Sequence, residues 1–516
     1  MSGDARASAS GLHHWLGHGP RLVVALIAAA FGAFGAFGQA PFDHPIAMLL
    51  SLAAGFILWR AQPTARAAGV VGWVFGAGYF AVALSWIVEP FQVDVARHGW
   101  MAPFALLFLS TGLALFWGAA FWLARRLSAA AIFLVVTWTG AEMLRAYIFT
   151  GFPWASPAQT VIDGRFATLL PLLGPHGATL CLMALAWALS LPSTPQVGGS
   201  MRAGQAALLA GAAFAFYLPQ VRPPSELTGH WVRLIQPNAE QHLKWQPGWA
   251  EMFVQRQMDY TAAASRETEQ APSLIIWPET AVPWRLEQAQ PFLAQISEAA
   301  GDVPVALGAL RQQGDTLFNA VALVMAQGQL ADVYDKHHLV PFGEYIPGAR
   351  FLEGWNISGL ASRGRGFGAG SGPRVMDFGA LGTGLPLICY EAVFAHGVNG
   401  ADTRPDFIFQ VTNDAWFGQY AGPQQHLAQA RMRAIEQGLP LMRAANTGIS
   451  AMIDPKGRII AQLPLGVAGF VDAPLPKPLN KTLYSRTGDL PMLGLLLLSV
   501  SYAAFLSARR RRTDSH

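Results

Sequence analysis

Charge is scarce in this 516-residue chain, and lysine is scarcer still. Charged residues make up 13%, against about 25% in an ordinary soluble domain. Hydrophobic residues reach 52%, which excludes a disordered chain and a simple secreted domain. Only two cysteines are present, Cys181 and Cys389, so a disulfide framework is excluded. There is no C-x-x-C for zinc or redox work and no H-E-x-x-H. The five lysines, Lys244, Lys336, Lys456, Lys477 and Lys481, all follow residue 243, and the first two hundred residues use arginine alone. The basic excess of +4 lies beside apolar runs, which points to membrane topology and not to nucleic acid.

What is abundant is apolar length. Spans are expected at 21–39, 45–59, 68–88, 100–124, 129–149, 174–192, 202–218 and 489–507, each near the ~20 residues that cross a bilayer. The run at 21–39 is long and another follows at once, so a cleaved signal is not expected. With a cytoplasmic segment 1–20, the inside loops carry Arg60 with Arg66, Arg125 with Arg126, and Arg202, and the basic tail 508–516 is also inside. That satisfies the positive-inside bias and places the region between the seventh and eighth spans outside the cytoplasm, on the periplasmic face of an inner membrane. Glu142 and Arg145 share one helical face inside a span, as a structural or a functional pair. Trp154 is expected as an interfacial anchor.

Residues 226–474 differ. Short β-rich runs at Trp231–Ile235, Ser273–Trp277, Val303–Leu307, Leu385–Ile388 and Phe407–Val411 alternate with helical patterns at 246–265, 286–300 and 423–437. Near-continuous apolar strands between helices imply a layered α/β domain with buried sheets. The fold class is therefore a membrane α-helical bundle of about eight spans, about seven of them in 21–218, plus an α/β domain.

Polar residues cluster at strand ends. Trp277-Pro278-Glu279-Thr280 closes one strand, and Ile388-Cys389-Tyr390-Glu391 closes another. Asn413-Asp414-Ala415-Trp416-Phe417-Gly418 closes a third, and Lys336 stands beside His337 and His338. A thiol, an amine and a carboxylate at strand ends suit acyl transfer. The thiolate attacks, a poorly solvated carboxylate takes its proton, and the ammonium stabilises thiolate and oxyanion. Each residue also has a plainer reading: Glu279 as a helix cap, Lys336 as a surface lysine, Cys389 as a small hydrophobe like Cys181. His337 and His338 are adjacent and would point to opposite faces of a strand, so no metal site is expected. The run Gly364–Gly372 lacks both phosphate-binding glycine patterns and is expected as a mobile loop, a lid over the site.

The ordered words WPET (277–280), KHHLVPFGEYIP (336–347), ICYE (388–391), NDAWFG (413–418), GPQQH (422–426), AQARMRAIE (428–436) and RAANTGIS (443–450) are specific. With apolar spans on both sides, the chain resembles the bacterial apolipoprotein N-acyltransferases, members of the nitrilase, or carbon–nitrogen hydrolase, superfamily. The resemblance implies an αββα nitrilase-like sandwich and a two-step reaction. Cys389 takes an acyl chain from a phospholipid, usually phosphatidylethanolamine, as a thioester. The α-amino group of a lipoprotein's diacylglyceryl-modified N-terminal cysteine then receives it. It further implies Glu279 as general base, Lys336 as stabiliser, Glu344, Tyr390 and Glu391 in the site, and Trp245 at the substrate. No cofactor, no metal and no nucleic acid are implied, and a monomer is expected. Leu439 departs from the arginine expected before Pro440. The rivals are a membrane-tethered amidase using water as second nucleophile, and a scaffold or transporter whose outer domain only binds.

Overall fold

The computed structural model describes residues 14–128, 130–192, 198–218, 223–265, 267–348 and 366–513. The chain forms two compact units, Met1–Arg222 with Thr487–His516, and Pro223–Arg486.

The first unit is helical. Its elements are α1 (Arg21–Gly35), α2 (Pro45–Ala61), α3 (Ala65–Ala83), α4 (Ala102–Leu127), α5 (Ile132–Tyr147), α6 (Leu170–Leu189) and α7 (Gly198–Tyr217), with a C-terminal helix Leu490–Thr513. Four stretches among the described residues are long and apolar enough to cross a membrane: Arg21–Gly38, Ala65–Ala83, Val95–Leu127 and Arg165–Leu189. Pro45–Ala61 and Leu490–Phe505 are apolar but shorter. Small residues let these helices approach closely, as is general where water does not drive association. Gly78 of α3 faces the backbone of Ala29 in α1, and Gly72 faces the Phe121 ring in α4, with no room at either for a Cβ. Pro175 and Gly174, at φ 65°, break α6 near its start, because proline has no N–H to continue the ladder.

The Glu142–Arg145 pair is buried and its groups are matched. Glu142 accepts from Trp117 Nε1 at 2.6 Å and pairs with Arg145 Nη2 at 2.6 Å. Arg145 also donates to the carbonyls of Phe152 and, at 2.8 Å, Trp154. The pair thus ties α4 and α5 to the loop after α5, a structural role. Trp154 is not an exposed interfacial anchor. It is 1% exposed, with its ring 4.5 Å from that of Trp86.

The second unit contains two six-stranded sheets. The strands are β1 (Leu227–Gln236), β2 (Leu274–Ile276), β3 (Val305–Gln313), β4 (Thr316–Val324), β5 (Leu330–Asp335), β6 (Met376–Asp377), β7 (Thr383–Ile388), β8 (Phe407–Thr412), β9 (Leu441–Ala445), β10 (Ser450–Ile453), β11 (Ile459–Leu463) and β12 (Gly469–Pro476). One sheet runs β12-β1-β2-β3-β4-β5 and the other β11-β10-β9-β8-β7-β6. Their facing sides form one core, in which Val232, Ile276 and Val321 pack with Ile388, Phe409 and Met442. Helices α8 (Trp249–Ala262) and α9 (Gln290–Ala299) flank the first sheet, and α10 (Gly422–Gln437) covers the second. The layering is αββα. Pairs β1/β2, β2/β3, β7/β8 and β8/β9 are parallel. Loops leaving β2, β7 and β8 therefore emerge at carboxyl ends, where α/β domains commonly build sites. Leu439 lies in the apolar cluster under α10 with Leu427 and Leu441, so leucine suits that position.

Replacing Arg145 by Leu strands the Glu142 carboxylate without its counter-charge, and breaking such a buried pair costs about 3–5 kcal/mol. The thermal midpoint in detergent is expected to drop clearly. A Glu142→Leu/Arg145→Leu double variant should recover only part, because the carbonyls of Phe152 and Trp154 stay unpaired.

Candidate active site

Glu279, Lys336 and Cys389 each follow directly on a strand or its exit: β2, β5 and β7. Glu279 and Lys336 come from one sheet and Cys389 from the other, so the site lies where the sheets face each other. All three are buried. Glu279 caps no helix. Its Oε1 accepts from Asn319 Nδ2 at 2.6 Å, its Oε2 accepts from the Asn413 N–H at 2.9 Å, and Lys336 Nζ stands 3.7 Å away. Lys336 is not a surface lysine, being 1% exposed. Its Nζ donates to Glu344 Oε1 at 2.9 Å. Glu344 in turn accepts from the Val340 N–H at 2.8 Å and from Asn319 Nδ2 at 3.1 Å. One ammonium thus lies between two anchored carboxylates.

Burial works against charge on Lys336, but Glu344 and Glu279 outweigh it and raise its pKa, which keeps the ammonium. Burial pushes the Cys389 thiol up and Glu279 adds to this, while Lys336 pulls the other way. The balance favours the thiol form of Cys389, so any attack by its sulfur would require the proton to leave during the step. Cys389 itself sits at φ 51° and Thr280, next to Glu279, at φ 45°. Such backbone costs of order 1–3 kcal/mol for a residue with a side chain and is concentrated at functional sites.

The remaining sequence-derived residues separate. Glu344 joins Lys336. Glu391 lies behind the thiol turn as a brace: it accepts from the Ile388 N–H at 2.8 Å, the His337 N–H at 2.8 Å and His337 Nδ1 at 2.6 Å. Burial disfavours its carboxylate, but the His337 hydrogen bond and charge outweigh this and hold its pKa low. Tyr390 packs edge-on against Phe394, ring centres 5.0 Å apart. Trp245 is half-exposed and Lys244 Nζ lies 5.0 Å from its ring centre. These two residues line a small cavity with Pro237, Phe253 and Pro283.

Of the glycine run, Gly364 and Arg365 lie outside the described residues. Its remainder is no free lid. The Phe367 N–H bonds Glu344 O at 2.9 Å, Gly368 N–H bonds Leu317 O at 2.8 Å, and Gly370 N–H bonds Lys336 O at 2.8 Å. Glycine is needed there for approach: a Cβ on Gly370 would meet the Asp335 backbone.

Several site residues escaped the sequence reading. Asn319 holds both carboxylates. Lys244, buried, donates to Glu279 O at 3.2 Å and Thr280 Oγ1 at 3.0 Å, and burial pushes its pKa down to about 8 against the pull of Glu279. The available signal was a polar residue inside an apolar strand, as with Asn319 in TLFNAVALV.

Comparison with known proteins defines the class first. The protein-family model for carbon-nitrogen hydrolase matches residues 232–478, and that for the apolipoprotein N-acyltransferase N-terminal domain matches 31–188. The chain is 36% identical to the apolipoprotein N-acyltransferase of Bradyrhizobium diazoefficiens, covering 95% of this chain and 96% of that one. It is 35% identical to that of Rhodopseudomonas palustris, over 93% and 94%. The corresponding protein of Caulobacter vibrioides is also 35% identical, over 96% of this chain and 93% of its own. The chain belongs to the apolipoprotein N-acyltransferase family.

Lys336→Met removes the cation that favours the Cys389 thiolate. A shift of one pKa unit is about tenfold in thiolate population below the pKa. Iodoacetamide labelling of Cys389 at pH 8 should therefore slow by about tenfold or more, its rate-versus-pH curve moving to higher pH. An unchanged curve would show that Lys336 does not act on the thiol.

Proposed function

We propose that this chain transfers an acyl chain from a phospholipid, with phosphatidylethanolamine as donor, to the α-amino group of the diacylglyceryl-modified cysteine that begins an apolipoprotein. The observation that carries this reading is the convergence of Glu279, Lys336 and Cys389 at strand ends of two facing sheets, in a chain whose other unit is a bundle of apolar helices.

In the first half-reaction Cys389 Sγ attacks the ester carbonyl and Glu279 takes the thiol proton. The oxyanion of the tetrahedral intermediate gains stabilisation from Lys336. Collapse breaks the ester C–O bond, and the leaving lysophospholipid oxygen takes the proton from Glu279. In the second, the amine attacks the thioester carbonyl and Glu279 takes a proton from nitrogen; the C–S bond then breaks to release the amide, and the departing Cys389 sulfur takes that proton from Glu279 to restore the thiol. Glu344 keeps the ammonium in place, Trp245 contacts substrate, and Tyr390 and Glu391 support the nucleophile turn. No cofactor or metal enters any step. The protein works as a monomer in the bacterial inner membrane, with about eight spans and the residues 226–474 domain on the periplasmic side.

Intact mass after incubation with phosphatidylethanolamine tests this. A gain of one acyl group, removed by hydroxylamine and absent in Cys389→Ala, is expected. No adduct together with ammonia release from small amides would place water as the second nucleophile. Neither activity would leave a binding protein.

A further inference from the structure

Behind the nucleophile lies a second polar cluster that the reaction above does not use. Gln410, Asp414, His426 and Arg443 are all fully buried. They come from β8, the turn after it, α10 and β9. Burying an Asp, an Arg and a His side by side is expensive unless every group is matched. Here the matches converge on one backbone atom. The carbonyl oxygen of Cys389 lies 3.1 Å from Gln410 Nε2 and 3.1 Å from His426 Nε2.

The hydrogen bonds define the arrangement. Arg443 Nη2 donates to Asp414 Oδ2 at 2.5 Å, and its Nη1 donates to Gln410 Oε1 at 2.5 Å. The latter bond fixes which way the Gln410 amide points. Asp414 Oδ1 accepts from Thr412 Oγ1 at 2.9 Å and faces His426 Nδ1 at 2.9 Å. Gln410 Nε2 is 3.1 Å from His426 Nε2. Burial and Arg443 disfavour a second proton on His426; burial also works against the Asp414 carboxylate, but Arg443, His426 and Thr412 together outweigh it and hold that carboxyl down at about 2. With its proton on Nδ1 the neutral ring donates to Asp414 and accepts at Nε2 from Gln410; with its proton on Nε2 it donates to Cys389 O, and in either form Gln410 Nε2 donates to that carbonyl.

The same cluster reaches the base. Asp414 follows Asn413, whose N–H holds Glu279 Oε2. We propose that Gln410, His426, Asp414 and Arg443 form a positioning network that fixes the Cys389 carbonyl in its left-handed turn and, through the Asn413–Asp414 turn, aligns the thiol with Glu279. The inference rests on the reading of Cys389 as nucleophile. The network touches no substrate. It acts by holding reacting groups in place, and a misplacement of about 1 Å can cost about a hundredfold in rate.

Two substitutions at His426 separate its ends. His426→Asn keeps an amide near the Nδ1 position, and so the bond to Asp414, but loses contact at Nε2. His426→Gln keeps a polar atom at the Nε2 end and loses the bond to Asp414. Single-turnover acylation of the full-length protein by phosphatidylethanolamine in detergent, followed by intact mass, measures both, with thermal midpoints taken in parallel. The maximal rate of His426→Asn should fall about tenfold or more at unchanged half-saturating lipid, while His426→Gln loses only about threefold. The reverse order, equal losses that follow the thermal midpoints, or a full rate in His426→Asn would overturn the network. If His426→Asn does not fold, a folded His426→Gln that is more than about tenfold slower overturns it alone. Absence of any hydroxylamine-labile adduct on the unsubstituted protein would instead overturn the nucleophile reading itself, and the network's role with it.

Discussion

The second unit depends on one buried ammonium. Lys336 lies between Glu344 and Glu279, and neither carboxylate is free to follow it. Asn319 of β4 holds both, the Val340 N–H holds one, and the Asn413 N–H from the opposite sheet holds the other. A buried charge of this kind survives only when its partners are fixed and their other lone pairs are filled. The ion group therefore fixes the two sheets relative to each other at their strand ends, and Cys389 is carried on the same frame.

Around that centre the polar side chains that touch no reacting atom hold backbone that would otherwise relax. Lys244 grips the Glu279–Thr280 peptide, where Thr280 has positive φ. Glu391 ties the end of β7 to the backbone after β5. Gly366, Gly368 and Gly370 lay an extended strap along Glu344, β4 and Lys336. Preorganisation of this sort places the cost of ordering in the fold and not in the reaction step.

The parts legible in the sequence were those with a local signature. Strands β1, β2, β3, β7 and β8 are apolar runs ending in turn residues, so both the parallel cores and the exits to Glu279, Cys389 and Asn413 could be seen. Strands β4, β5, β6 and β9 to β12 were not: Asn319 and Arg443 interrupt the apolar runs of β4 and β9, β6 has only two residues, and β12 finds its partner β1 far along the chain. Asn319 and Arg443, both buried on these strands, were hidden with them. Glu391 was found but its work was not, since its brace runs to His337, 54 positions away. Trp154 misled because an aromatic after an apolar helix looks alike whether it faces an interface or a buried arginine's loop. The glycine run misled because glycine serves close packing as readily as motion.

One pairing in the first sheet bears on how the chain matures. β1 opens the second unit, yet its antiparallel neighbour is β12, with Trp231 opposite Pro474 and Gln236 opposite Gly469. Until β12 has been synthesised, β1 is the border of an incomplete sheet, with one row of amides and carbonyls unclaimed. Contacts so distant in sequence form slowly, and such a border invites pairing with other chains in the meantime. Ribosomal elongation must thus deliver nearly the entire second unit before its first strand is enclosed, which makes the nascent polypeptide a natural client for chaperones.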